Sequence, residues 1–214
     1  MIRYYIIALF ICSTLALKAQ VSEGFFQYNI DVTAIDTSLE TKRSVSMLRN
    51  SKMTIFFDQN NYTKVIFKMG MMFTSDIIVN HKTNESLTLS NSMMGKYAIK
   101  SIVDPESMSK QDSLVIVDLI NEEKTILGFN CKKAILSNKH NNQKLIYWYT
   151  NDFDIKLYNT AFVNPNIPGF PLAFSTIDKG VFMRYQVTNH SFKLSDKEKI
   201  FSFEIPEGYT VTEE

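Results

Sequence analysis

Along most of the chain apolar and polar side chains alternate one by one, the period of half-buried strands rather than of helices. In FFQYNIDVT, Phe26, Tyr28, Ile30 and Val32 fall on one face, and Gln27, Asn29, Asp31 and Thr33 on the other. The stretch MTIFFDQNNYTKVIFKMGMMF predicts a hairpin with one strand over 53–57 and a turn at DQNN. Its second strand begins near Tyr62 and sets Val65, Phe67, Met69, Met71 and Phe73 on a common face. Further strands are predicted at SDIIVN, ESLTLS, KYAIKSI, SLVIVDLI, CKKAILS, KLIYWYT, AFSTI, VFMRYQVTNHSF and KIFSFEIP, divided by turn segments such as NHKTN, SNSMMG and IDKG. About ten or eleven strands, each beside its sequence neighbour, make an antiparallel meander, since parallel pairs would need a long crossover between them.

Helices are few. Residues 38–51 can form one, with Ser38 as N-cap and Val45 and Leu48 on a common face. DPESMSKQD, at 104–112, has room for a helical turn. Several strands (LVIVDLI, LIYWYT, VIFKMGMMF) are apolar on both faces. That pattern suits a sheet covered on both sides, or a curved sheet around an apolar space, better than a simple sandwich. No linker or repeat divides the chain, so one domain over 20–214 is expected.

The N-terminus reads differently. Arg3 is followed by an apolar run from Tyr4 to Leu17, and Ala19 offers a small residue before a cut at Gln20, the plan of a secretory signal peptide over 1–19. The run is shorter than the roughly 20 residues of a spanning helix, and no later stretch approaches that length, so the processed chain is not expected to span a membrane. Processing removes Arg3 and Lys18 from the 23 basic side chains, leaving 21 against 22 acidic ones. A charge near neutrality, with both signs scattered, gives no footprint for nucleic acid. Cys12 would leave with the leader, so Cys131 has no internal disulfide partner despite an oxidising compartment.

Candidate chemistry is thin. Cys131 in TILGFNCKKAIL needs a base or a positive site to become a nucleophile, and His81, His140 and His190 sit in no thiol-enzyme context. A small buried hydrophobe in a strand is the reading favoured for it. The methionines of KMGMMF and NSMMG offer core packing, an adaptable apolar surface, or soft ligands for Cu(I). Asp152 and Asp154 lack the repeated oxygen ligands of a calcium loop. No phosphate loop, nucleophile elbow or zinc-protease motif is present, so no enzyme activity and no cofactor are expected. FVNPNIPGFPLAF, with three prolines and three phenylalanines, predicts a stiff loop leading into a strand, able to cap a cavity or to plug the core.

TILGFNCKKAIL, YWYTNDF, IPGFPLAF and FEIPEGYTVTEE together resemble secreted proteins without assigned function from Gram-negative bacteria of the Bacteroidetes type. Those proteins are related to the GLPGLI family and grouped with the LolA/LolB-like lipoprotein carriers. The resemblance runs over roughly 44–211 but departs at IPGFPL, where Gly-Leu-Pro-Gly-Leu would stand. It implies a mainly β, LolA-like half-barrel of a single curved antiparallel sheet, with one or two short helices or loops closing its concave face. The expected function is a non-enzymatic periplasmic or secreted carrier for an acyl chain, a lipid or a lipidated partner. Met69, Met71, Phe73, Met93, Trp148, Phe170 and Phe174 are the expected lining. The alternative is an envelope interaction module with a filled core and a protein partner.

Overall fold

The computed structural model describes residues 21–58, 61–104, 115–139, 143–155, 157, 164 and 166–213. The signal peptide expected over 1–19, the helical turn expected at 104–112 (beyond Asp104) and His140 lie outside the described residues. Among the described residues, twelve strands and two helices follow one another as β1 (Glu23–Ala34), α1 (Leu39–Met47), β2 (Ser51–Asp58), β3 (Tyr62–Met69), β4 (Phe73–Asn80), β5 (Glu85–Ser92), β6 (Gly95–Ile102), β7 (Val115–Ile126), β8 (Phe129–Asn138), β9 (Lys144–Thr150), β10 (Phe170–Asp178), β11 (Val181–Ser191), α2 (Lys197–Ile200) and β12 (Thr210–Glu213). All the strands join one open, curved sheet in the order β12-β6-β5-β4-β3-β2-β1-β11-β10-β9-β8-β7. Two meanders, β2–β6 and β7–β11, therefore flank β1, which pairs with β2 on one side and β11 on the other.

The alternation read from β1 decides which face is buried. Phe26, Tyr28 and Ile30 are buried, as are their neighbours Met53, Ile55 and Phe57 across the β1–β2 ladder. They join Val65, Met69, Phe170, Leu172, Phe174, Met183, Tyr185 and Val187 in one core cluster. Phe26 lies at its centre, 4.9 Å from Phe170, 5.1 Å from Phe153 and 5.9 Å from Phe57 between ring centroids. Burying a side chain of that size is worth about 1.5–3 kcal/mol, an upper figure because the unfolded chain already hides part of it.

α1 forms where expected. The Ser38 hydroxyl accepts a hydrogen bond from the Thr41 amide at 3.1 Å, and Val45 and Leu48 pack into the core. A second cluster of Ile78, Leu87 and Ala98 is covered by Phe203, Ile205 and Tyr209, with Tyr62 stacked on Phe201.

Two expectations need correction. KIFSFEIP is not a strand: α2 ends at Ile200, and residues 202–206 have no ladder partner. Their apolar positions face the sheet by docking on it rather than by pairing within it. The terminal strand is instead β12, a short strand added in parallel to the edge of β6 beside the antiparallel ladders. Met71 and Phe73 do not continue the strand of Met69, because β3 ends there. Gly70, at φ +54, turns the chain into β4. The Met71 amide donates to the Met47 carbonyl at 3.0 Å, and the Met72 amide to the Met69 carbonyl at 2.9 Å.

Candidate functional site

The described residues of the β9–β10 connection, 151–155, 157, 164 and 166–169, line one side of a pocket of about 370 Å³ beside the ends of β9 and β10. Its apolar wall is Tyr147, Phe153, Ile155, Leu157, Ile167 and Phe170, and its polar groups are Asn151, Asp154 and Asn164. The volume is at the low end of the roughly 300–1,000 Å³ of small-molecule sites, and an apolar wall with a few polar groups is their usual make-up.

Local sequence explains the closure. Asn164 is buried, with its side-chain oxygen accepting from the Asn166 amide and its carbonyl from the Ile167 amide, each at 3.0 Å. This side-chain-supported turn brings Ile167 inward. Gly169 then passes so close to the end of β9 that a Cβ there would lie 2.5 Å from the Thr150 carbonyl oxygen. Only a residue without a side chain lets the loop seal at that point. On the other side of the connection the Thr150 hydroxyl donates to Asp152 at 3.1 Å.

The wall is rigid. Phe153 packs 4.9 Å from Phe129 and 5.6 Å from Phe192, and Tyr147 stacks on Phe174 at 5.5 Å. Phe174 in turn stacks on Tyr185 at 4.3 Å. Burial pushes the Tyr147 phenol up to about 12, with the neighbouring Tyr185 adding to the shift. The phenol therefore keeps its proton at neutral pH and serves as a neutral hydrogen-bonding group.

Of the expected lining residues, Phe170 reaches this cavity, and Tyr147, Phe153, Asn164 and Ile167 were not foreseen as its partners. Phe174 is a buried member of the aromatic stack behind Tyr147, and Met69 is core at the foot of β3. Trp148 points the other way from Tyr147. The Lys124 ammonium lies 4.4 Å above its ring and that of Lys133 5.7 Å, while Lys133 also pairs with Glu122 at 2.8 Å. Trp148 is half-buried and packs against the core cluster. Met71, Met93 and Phe73 lie exposed at turns or a strand start, away from the concave core. The apolar residues of 151–157 were the missed signal, since NDFDI places Phe153 and Ile155 beside the proline-rich stretch already marked as a cap.

Cys131 is fully buried and belongs to the core. Burial raises its thiol to about 11 even though Lys124, opposite it in β7, pulls the other way. Such a thiol carries almost no thiolate at neutral pH. Among the described residues, no group of three or more His, Cys, Asp or Glu side chains is placed to hold a metal ion.

The fold defines the chain as a mainly β protein built on one curved sheet, with a cavity under the β9–β10 connection. It belongs to the family described as N-glycanase peptide, N-terminal domain, whose pattern matches residues 36–163. Two structures of PNGF-II share the fold. One aligns with 90% of this chain and 32% of its own length at 18% identity and a TM-score of 0.55. The other aligns with 90% and 31% at 17% identity and 0.50. The chain thus spans about a third of the length of those proteins. A domain described as part of an outer membrane lipoprotein-sorting protein from Vibrio parahaemolyticus aligns over 91% of this chain and 95% of its own. Its identity of 6% and TM-score of 0.24 are too low to carry an argument. No curated protein sequence matches this chain. The comparisons hold nothing specific to the GLPGLI or Bacteroidetes-type proteins that the sequence motifs resemble.

Proposed function

We propose that the chain is a non-catalytic binding module, and that the cavity under the β9–β10 connection takes an amphiphilic ligand with a short acyl chain. The observation that carries this reading is the make-up of the wall, in which Phe153, Ile155, Ile167 and Phe170 suit an apolar tail and Asn151, Asp154 and Asn164 a polar end. The buried cluster along the sheet supports a ligand held at the β9–β10 end rather than a long chain threaded through the core. The apolar leader at 1–19 supports an exported protein working in the periplasm or outside the cell.

The test is displacement of a fluorescent short-chain fatty acid, read beside native mass spectrometry. Wild-type protein is expected to bind in the micromolar range. Ile155, half-buried in the wall, is the position to fill. Ile155→Trp should weaken binding at least about tenfold with little change in the urea midpoint. Absence of binding by the wild type, or equal binding by Ile155→Trp, would overturn the reading.

Family membership favours a second reading. As an N-terminal domain of an N-glycanase-type protein, the module would present a glycan chain, its hydroxyls meeting Asn151, Asp154 and Asn164. An N-linked oligosaccharide that displaces the fluorescent probe, or binds where the fatty acid does not, would decide for it.

A further inference from the structure

The methionine turns, which the cavity does not use, lie at the opposite end of the strands. β9 runs up to the cavity connection and β10 runs away from it. Through β11, β1 and β2 the registers place the β3–β4 and β5–β6 turns at the far end. Phe73 pairs with Ser92, so the two turns are neighbours. Met71 is 83% exposed and Met93 95% exposed, with Met72, Met94, Phe73 and Met47 of α1 exposed beside them.

Their backbones are nonetheless held firmly. A Cβ on Gly70 would lie 1.9 Å from the Met47 carbonyl oxygen, which seats the first turn against α1. In the second turn the Met94 amide donates to the Ser92 hydroxyl at 3.2 Å, and the Tyr97 hydroxyl donates to the Met94 carbonyl at 3.2 Å. Fixed turns that present large flexible apolar side chains to water mark an interaction site rather than scattered surface hydrophobes.

The charges around the turns choose the partner. Arg49, after α1, and Lys52, Lys68 and Lys96, at the near ends of β2, β3 and β6, are all exposed. The register of β12 on β6 brings one acidic side chain, Glu207, towards this end. Asp36, Glu40 in the first turn of α1 and Asp178 at the end of β10 lie further along the sheet, around the β10–β11 turn at Gly180. Local basic charge around apolar tips, in a chain whose acids and bases nearly cancel, fits an anionic lipid surface.

We propose that this end of the sheet docks on an anionic membrane. Met71 and Met93 enter the boundary between headgroups and acyl chains, and Arg49, Lys68 and Lys96 meet the lipid phosphates. The inference is independent of the cavity reading, because the surface is at the other end of the strands.

Flotation with vesicles of phosphatidylglycerol and phosphatidylcholine tests it, with pure phosphatidylcholine vesicles as the neutral arm. Wild-type protein is expected to float with the anionic vesicles only, and less so as salt rises. The exposed-site variants Met71→Asp/Met93→Asp and Lys68→Glu/Lys96→Glu should each lose at least about tenfold in partitioning while melting as wild type does. Ile155→Trp should float like wild type. No flotation of the wild type, or equal flotation of both double variants, would overturn the proposal. So would a dimer, or tight Cu(I) binding, that is lost in Met71→Asp/Met93→Asp while flotation persists.

Discussion

Cys131 has the reactivity of its surroundings rather than of its side-chain type. With the thiol raised to about 11, the thiolate fraction at pH 8 is about a hundredfold below that of a thiol at its ordinary value of 9.0. A thiol-specific reagent should therefore modify native protein at least about a hundredfold more slowly than protein in urea, and equal rates would remove Cys131 from the core. The sign of the linkage follows from the same shift. The folded state prefers the neutral thiol, so its contribution to stability is complete below the unfolded value and is lost as pH rises towards about 11. Leu127 is the opposite case, a residue whose backbone works against its side chain. Leu127 and Gly128 have φ of +49° and +89° and form the two-residue turn between β7 and β8. Such a turn favours Asn-Gly. Leu127→Asn should stabilise the protein by about 0.5–1 kcal/mol in urea unfolding, because Asn tolerates the left-handed region that Leu does not.

Between elements, close approach rather than local propensity sets what is tolerated. Gly70 and Gly128 both have positive φ, yet a Cβ at Gly128 meets nothing within 4 Å, whereas one at Gly70 strikes the Met47 carbonyl. Gly128→Ala should cost about 1 kcal/mol and Gly70→Ala clearly more, about 2 kcal/mol or above, when their urea midpoints are compared. Similar losses for the two would mean that α1 does not brace the β3–β4 turn. This contact was not legible in the sequence. KMGMMF keeps the alternation of a strand, and a glycine inside such a run signals a bulge as readily as a turn. Only the Met47 carbonyl, which is distant in sequence, decides between them. KIFSFEIP misled for a related reason, since an extended segment docking on a sheet face alternates just as a paired strand does.

At the scale of the molecule the two meanders are joined by the β1–β11 ladder and tied again across the core. The Tyr28 hydroxyl donates to the Pro171 carbonyl at 2.7 Å, reaching from β1 past β11 to β10. Both groups are buried, so removing the donor takes away a hydrogen bond shielded from water. Tyr28→Phe should lower stability by about 1–3 kcal/mol in thermal or urea unfolding without changing the far-ultraviolet spectrum. An unchanged midpoint would mean that the ladder alone holds the halves together. Burial raises the Tyr28 phenol well above its ordinary value of 10.0, and the stability linked to that shift is present at neutral pH and lost in strong alkali.

What the sequence determined by itself is the alternation of β1, the N-cap and apolar face of α1, and the run of strands that makes one curved sheet. These are local properties: a period of two, a capping serine and turn residues act within a few positions of one another. Even Cys131 could be read as a strand residue, because nothing nearby would ionise it. The tertiary structure alone decided where the apolar surplus goes. It sent Phe174 and Met69 into the core, left Trp148 half-buried against it under two lysines, and placed Phe170 at a rim pocket with Phe153 and Ile167. It also set Met71 beside Met93 at an exposed end of the sheet. Whether an apolar side chain is buried depends on what crosses over it, and that neighbour is set by the curvature and the long connections of the sheet, which no short stretch of sequence encodes.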